Sequence, residues 1–321
     1  MRDTDYAFCV ARLRANERYM LSSKDLQALT DCSTYEEALK ILAEKKWITD
    51  QSGINECVAY QNRNLWELLC ECVPDKSMLS ILCTVNDFFN IKAAVKCHFT
   101  SVDASEYFAY PTSLDTAALL QKVSSHEFSK IGGIMGECAE NSYKAACLTE
   151  NGQNADIIID AAAVTTLSSY AVKNNGTLIG DVCAFIADTA NIKTAYRCVR
   201  TAKGKDFVET AIGQCCHLDR SSLIKAVLSG EEELAAYLAK TDYKEISAVY
   251  VESSADFEKK CDDEIINLVK KAKYTAFGFD PVCAYYYAKL NEIKSVRIIL
   301  TGLKAGADKK TITERVRALY V

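Results

Sequence analysis

The chain has 321 residues, 49% of them apolar and 25% charged, the balance of a globular protein with material for a large core. A formal charge of −5 and a pI near 5.5 exclude nucleic acid as the principal partner, because phosphate binding needs a basic footprint. Fifteen cysteines lie scattered through a chain that opens without a signal-peptide pattern. We read them as reduced thiols of a cytosolic protein, with Cys9, Cys83, Cys183, Cys261 and Cys283 packed as small hydrophobes.

Three prolines and thirteen glycines leave long stretches without a helix breaker, and the apolar spacing in them follows the helical period, so the predicted fold is all-α. Residues 1–52 read as a partial unit, with Val10-Ala11-Arg12 fifteen residues ahead of Asp25 and an apolar stripe of Tyr35, Ala38, Leu39 and Leu42. In 53–154, a helical pair over Gly53 to Asn86, broken at Val73-Pro74-Asp75, leads into Asp87-Phe88-Phe89-Asn90-Ile91-Lys92-Ala93-Ala94. Asp115 then reads as the N-cap of a helix carrying Leu119 and Val123. The glycine cluster from Ile131 to Gly136 is expected to be a flexible loop, since no strand precedes it to form a dinucleotide turn.

The pattern recurs in 155–254. A pair over Ala155 to Ala187, broken at Asn174-Asn175-Gly176, precedes Asp188-Thr189-Ala190-Asn191-Ile192-Lys193-Thr194-Ala195, and Asp219 caps a stripe of Leu223, Val227, Leu228, Leu234, Tyr237 and Leu238. It recurs more loosely in 255–321. There a pair over Ala255 to Leu290, with the stripe Phe257, Cys261, Ile265, Leu268, Val269 and Ala272 and a break at Gly278-Phe279-Asp280-Pro281, precedes Lys289-Leu290-Asn291-Glu292-Ile293-Lys294-Ser295-Val296, and Asp308 caps Ile312 and Val316. The Ile-Lys pairs begin at 91, 192 and 293, a constant step of 101 residues, and two equal steps mark an internal repeat.

Catalytic signatures are absent: there is no phosphate loop, no Gly-x-Gly-x-x-Gly after a strand and no His-Glu-x-x-His. His98, His126 and His217 are far apart, Cys215-Cys216-His217 reads as a loop or core segment, and Asp262-Asp263 reads as the solvated start of a helix. No cofactor or metal site is therefore expected. No run approaches the ~20 apolar residues of a membrane span. The nearest, Ile157 to Val172 and Leu178 to Ala187, are interrupted by Asp160 and Asp181, so membrane association is expected only through a partner.

One charge pattern follows the repeat. Lys92 and Lys96, then Lys193, Arg197 and Arg200, then Lys294 and Arg297 place cations three or four residues apart along one helix face in each copy. Such ridges are either ordinary solvated faces or a partner surface that steers an acidic helix end.

With these residues laid out, the chain resembles the C-subunit family of archaeal and bacterial V/A-type ATPases (ATP synthases), relatives of the d-type component of the eukaryotic vacuolar enzyme. The most specific stretch is 270–320, with Gly278 and Pro281, Ala284 and Tyr285, Lys289, Glu292 and Ile293, Arg297 to Leu300, and Glu314, Arg315, Arg317 and Tyr320. Tyr6-Ala7-Phe8 with Ala11-Arg12-Leu13-Arg14, and the stretch from Val73-Pro74-Asp75 to Lys92, are similar as well, while His98 to Asn154 departs most. The resemblance implies three similar helical subdomains forming a funnel-shaped socket that performs no chemistry. That socket receives the D/F central shaft, sits on the membrane proteolipid ring, and is peripheral on the cytoplasmic face of the cell membrane through the ATPase complex. A helical scaffold or adaptor unrelated to rotary ATPases is the alternative, although a period near 100 residues exceeds that of common solenoid repeats.

Overall fold

Side-chain oxygens of Ser, Thr and Asp start several of the helices, by accepting a first-turn amide that has no partner inside the helix. The computed structural model describes residues 2–48, 53–100, 102–148 and 152–321. Among them there is no strand, and sixteen α-helices run in chain order. They are α1 (Ala7–Glu17), α2 (Ser23–Thr30), α3 (Tyr35–Glu44), α4 (Ile54–Cys72), α5 (Lys76–Thr100), α6 (Thr116–Ser124), α7 (Gly133–Leu148) and α8 (Gly152–Lys173), followed by α9 (Leu178–Arg200), α10 (Lys205–Ala211), α11 (Arg220–Ser229), α12 (Glu231–Leu238), α13 (Lys244–Glu252), α14 (Ser254–Val269), α15 (Asp280–Lys304) and α16 (Lys309–Arg315). The chain divides into two compact units, one made of 1–79 with 252–321 and the other of 80–251. The expected boundary at residue 52 lies outside the described residues.

The predicted breaks separate α4 from α5, α8 from α9, and α14 from α15, with a 3-10 turn at Lys270–Tyr274 inside the last. Asp115, Asp219 and Asp308 are N-caps, accepting from the amides of Ala118, Ser222 and Thr311. Asp25 is not one: Ser22 takes that place, and Asp25 sits three residues on, returning a bond to the Ser22 amide in a capping box. Three further expectations are corrected. The stripe from Leu223 to Leu238 is two helices, because Gly230 at φ +116° turns the chain between α11 and α12 and leaves Leu228 exposed. The glycine cluster is a sharp turn at Gly132 and Gly133 that opens α7 directly. Asp262 and Asp263 lie in the middle of α14, where they hold the C-terminal segment: Asp262 accepts from Arg317 and Asp263 from the Ala318 amide.

In the unit of 1–79 and 252–321, α15 is the hub, packing against α1, α2, α3, α4, α14 and α16. Its Ile293, Val296, Ile299 and Leu300 join Leu26, Leu29, Leu39, Leu42 and Trp47 in one core. In the unit of 80–251, α8 packs between α7 and α9, and Phe88, Ile91 and Val95 of α5 enter a core with Leu119, Val123, Phe128 and Ile159. By length and composition alone, two helices among the described residues, α5 and α8, could cross a membrane; α8 contains the run that Asp160 interrupts. In α5, 61% of the most apolar window is buried inside the fold, and the polar side chains within it are consumed by loops as described next.

The repeated motif places polar groups where apolar ones are expected. Asp87 and Asn90 on α5, Asp188 and Asn191 on α9, and Glu292 on α15 are all at most 1% exposed. Burying an unpaired carboxylate costs several kcal/mol, so each must be filled. Asp87 accepts from the Ser113 amide at 2.9 Å and from the hydroxyls of Thr112 and Ser113. Asp188 accepts from the amides of Cys216 and His217 at 2.8 and 2.7 Å and from the Tyr243 hydroxyl at 2.9 Å. Three residues on, Asn90 bonds both the amide and the carbonyl of Ala109, and Asn191 does the same to Gly213. A Cβ on Gly213 would lie 2.7 Å from a Val164 methyl, so only glycine lets this loop approach α8. On α15, Glu292 stands where Asn90 and Asn191 stand, accepting from the Leu21 amide at 2.6 Å and the Trp47 indole at 2.7 Å, with Lys289 bonded to the same carboxylate.

Replacing Asp188 with Ala should destabilise the protein by about 3 kcal/mol, since three donors lose one buried acceptor; urea unfolding measures this. Burial pushes the Asp87 carboxyl above its ordinary value, against the opposing bonds from Ser113 and Thr112. The folded state therefore holds this proton longer than the unfolded chain, and stability falls as pH rises from the ordinary carboxylate range through the raised value. Asp87→Asn should flatten that slope in unfolding midpoints taken across the window.

Candidate docking faces on the long helices

Two features compete as a functional site: the cationic ridges and a cavity in the unit of 80–251. The ridges lie on α5, α9 and α15, just beyond the buried polar residues, where the helices turn a charged face outward. On α5, Lys92 bonds Asp160 at 2.6 Å and Lys96 bonds Asp156 at 3.0 Å, both on α8. The two helices run antiparallel there, so cations four residues apart meet acids four residues apart in reverse order. On α9, Lys193 is half-buried and Arg197 is exposed. Arg200 reaches Glu231 at 3.2 Å and the Val251 carbonyl at 3.1 Å, and it lies 5.3 Å from the Tyr250 ring centroid. On α15, Lys294 bonds Asp262 at 2.6 Å and Arg297 is exposed.

Several ridge cations are thus partly spent within their own unit. Most of the pairs are half exposed, and each contributes no more than ~1 kcal/mol. Arg197 and Arg297 carry no side-chain hydrogen bond or ion pair among the described residues. They are the ridge members whose charge is turned to solvent. Sequence reasoning missed the acids, although a signal was present: Asp156 and Asp160 repeat the four-residue spacing of Lys92 and Lys96.

The cavity, of about 520 Å³, lies in the unit of 80–251 and is lined by Ser168, Lys173, Asp181, Cys216 and His217 among others. His217 faces Asp188 and Tyr243 through Nδ1 at 3.5 and 3.4 Å, which brings Cys, His, Asp and Ser into one neighbourhood. Their chemistry is consumed by structure. The Asp188 oxygens are taken by backbone amides and Tyr243, and the Cys216 thiol donates to Ser168 at 3.3 Å. Burial pushes Cys216 above its ordinary value and Cys215 up to about 12, so both are protonated near neutral pH and neither is a ready nucleophile. No group of three or more His, Cys, Asp or Glu side chains able to hold a metal occurs among the described residues.

A family model described as ATP synthase (C/AC39) subunit matches residues 9–315. The C subunit of the V-type sodium ATPase of Enterococcus hirae is 23% identical over 272 residues, which cover 82% of this chain and 81% of that protein.

Charge reversal at Arg197 or Arg297 should leave stability within about 0.5 kcal/mol, because neither touches a structural partner. Reversal at Arg200 should lower it visibly, through the loss of Glu231, Val251 and the Tyr250 ring. Thermal melts followed by circular dichroism separate the two cases.

Proposed function

The chain belongs to the ATP synthase (C/AC39) subunit family, and from that membership we propose that it is a non-catalytic rotor component of a V/A-type ATPase, coupling the D/F central shaft to the membrane proteolipid ring. The observation that carries this reading is the family match over 9–315, which spans all three motif helices. The fold supports it in physical terms. A coupling element must transmit torque without shear, and helices whose buried carboxylates are bonded to the loops beside them resist sliding as apolar packing alone does not.

In this reading the units built on α4–α5, α8–α9 and α14–α15 are three versions of one helical module. The ridge residues Lys92, Lys96, Lys193, Arg197, Arg200, Lys294 and Arg297 are the docking residues, with Arg197 and Arg297 meeting acidic groups of the shaft and the paired lysines fixing their helices in place. Contact with the membrane is made through the proteolipid ring, on the cytoplasmic side, and the protein supports ion transport without performing chemistry itself.

Binding of the purified chain to a purified D/F shaft tests the proposal. The native protein should bind, and the double change Arg197→Glu with Arg297→Glu should weaken binding by tenfold or more, about 1.4 kcal/mol, with an unchanged circular dichroism spectrum. Absence of binding by the native chain would overturn the assignment. Unaltered affinity of the double variant would remove the ridges from the interface and leave the assignment to the rest of the surface.

A further inference from the structure

Cys9 lies in the first turn of α1 and Cys72 is the last residue of α4. Their sulfurs are 2.9 Å apart across 63 residues of sequence, and the side chains are 1% and 7% exposed. A disulfide bond is ~2.05 Å long, so an approach of about 0.9 Å would join them. Burial pushes the thiols of Cys138 and Cys183 up to about 12. Cys72 is different. Its hydrogen bond from Cys9 and the nearby Arg12 and Lys76 cations hold it below the ordinary thiol value in spite of burial, while Cys9, which shares its proton with Cys72, is pushed up. Arg12 is fixed in this position by its 2.6 Å bond to Glu71, the neighbour of Cys72.

We propose that Cys9 and Cys72 are an oxidation site, a dithiol that hydrogen peroxide converts to an intramolecular disulfide bolting α1 to the end of α4. The Cys72 thiolate attacks one peroxide oxygen, breaking the O–O bond to give a sulfenic acid and a hydroxide, which takes up the proton that Cys72 has lost and leaves as water. The Cys9 sulfur then attacks the sulfenic sulfur, the S–O bond breaks, and the departing hydroxide leaves as a second water with the proton of Cys9. Two thiols lose two electrons and two protons, and one peroxide becomes two waters. The site is reset by any small thiol that exchanges with the disulfide. Cys72, 7% exposed against 1% for Cys9, is the thiol that peroxide, a small oxidant, meets first, and Cys9 serves as the resolving thiol.

The purified protein is exposed to equimolar hydrogen peroxide in its folded state, quenched, and mapped by mass spectrometry after digestion without reductant. The expected result is one cross-linked peptide pair containing Cys9 and Cys72, the loss of two of the fifteen thiols, and a midpoint of thermal unfolding raised by about 5 °C or more, all reversed by dithiothreitol. Cys9→Ser should instead stop at a sulfenic acid on Cys72 that dimedone traps. Oxidation of other cysteines ahead of this pair, or retention of all fifteen thiols in the native protein, would overturn the proposal without any variant being needed.

Discussion

A carboxylate in the middle of an apolar helix is tolerated only where its oxygens are filled, and Asp87, Asp188 and Glu292 are filled by segments with no regular hydrogen bonding of their own. The exchange is mutual. The helix side chain gains donors that offset its desolvation, and the loop gains a fixed path across the helix. Because Ser113, His217 and Leu21 each stand one or two residues ahead of an N-cap, at Asp115, Asp219 and Ser22, the same bond that satisfies the carboxylate also sets where the next helix begins. Packing, loop path and helix start are therefore one constraint with three effects.

The third copy of this arrangement is chemically different from the other two. Where α5 and α9 carry Asp and then Asn, α15 carries Lys289 and then Glu292. The acid has moved one turn along the helix, and a cation has taken its former place, bonded to it and lying 5.6 Å from the Trp47 ring centroid. Charge is thus balanced inside the core at α15, whereas Asp87 has hydroxyl and amide donors only.

Much of the fold was legible in the sequence because helix ends obey local chemistry. Pro74, Gly176 and Pro281 mark breaks that the structure contains, and Asp115, Asp219 and Asp308 cap the helices they precede. What local chemistry cannot reveal is the distant partner of a polar side chain. Asp262 and Asp263 sit among charged residues and read as solvated, yet their partners lie 55 residues downstream. The ridge cations were visible as a pattern, but their meaning depended on acids of α8, α12 and α14 that only folding brings near. A single glycine, Gly230, divided what the periodicity joined, since one positive φ reverses the chain without disturbing the apolar spacing.

The unit built from both ends of the chain has an implication for biosynthesis. Glu292 leaves the ribosome long after Leu21 and Trp47, whose donors it receives, and the whole of 80–251 is made in between. The N-terminal helices must wait, with their apolar faces uncovered, until α15 arrives to close over them, while the intervening segment has its own core to collapse around. Newly made chains thus pass through a stage in which the middle is finished and the beginning is not, the stage at which holding chaperones have most to bind.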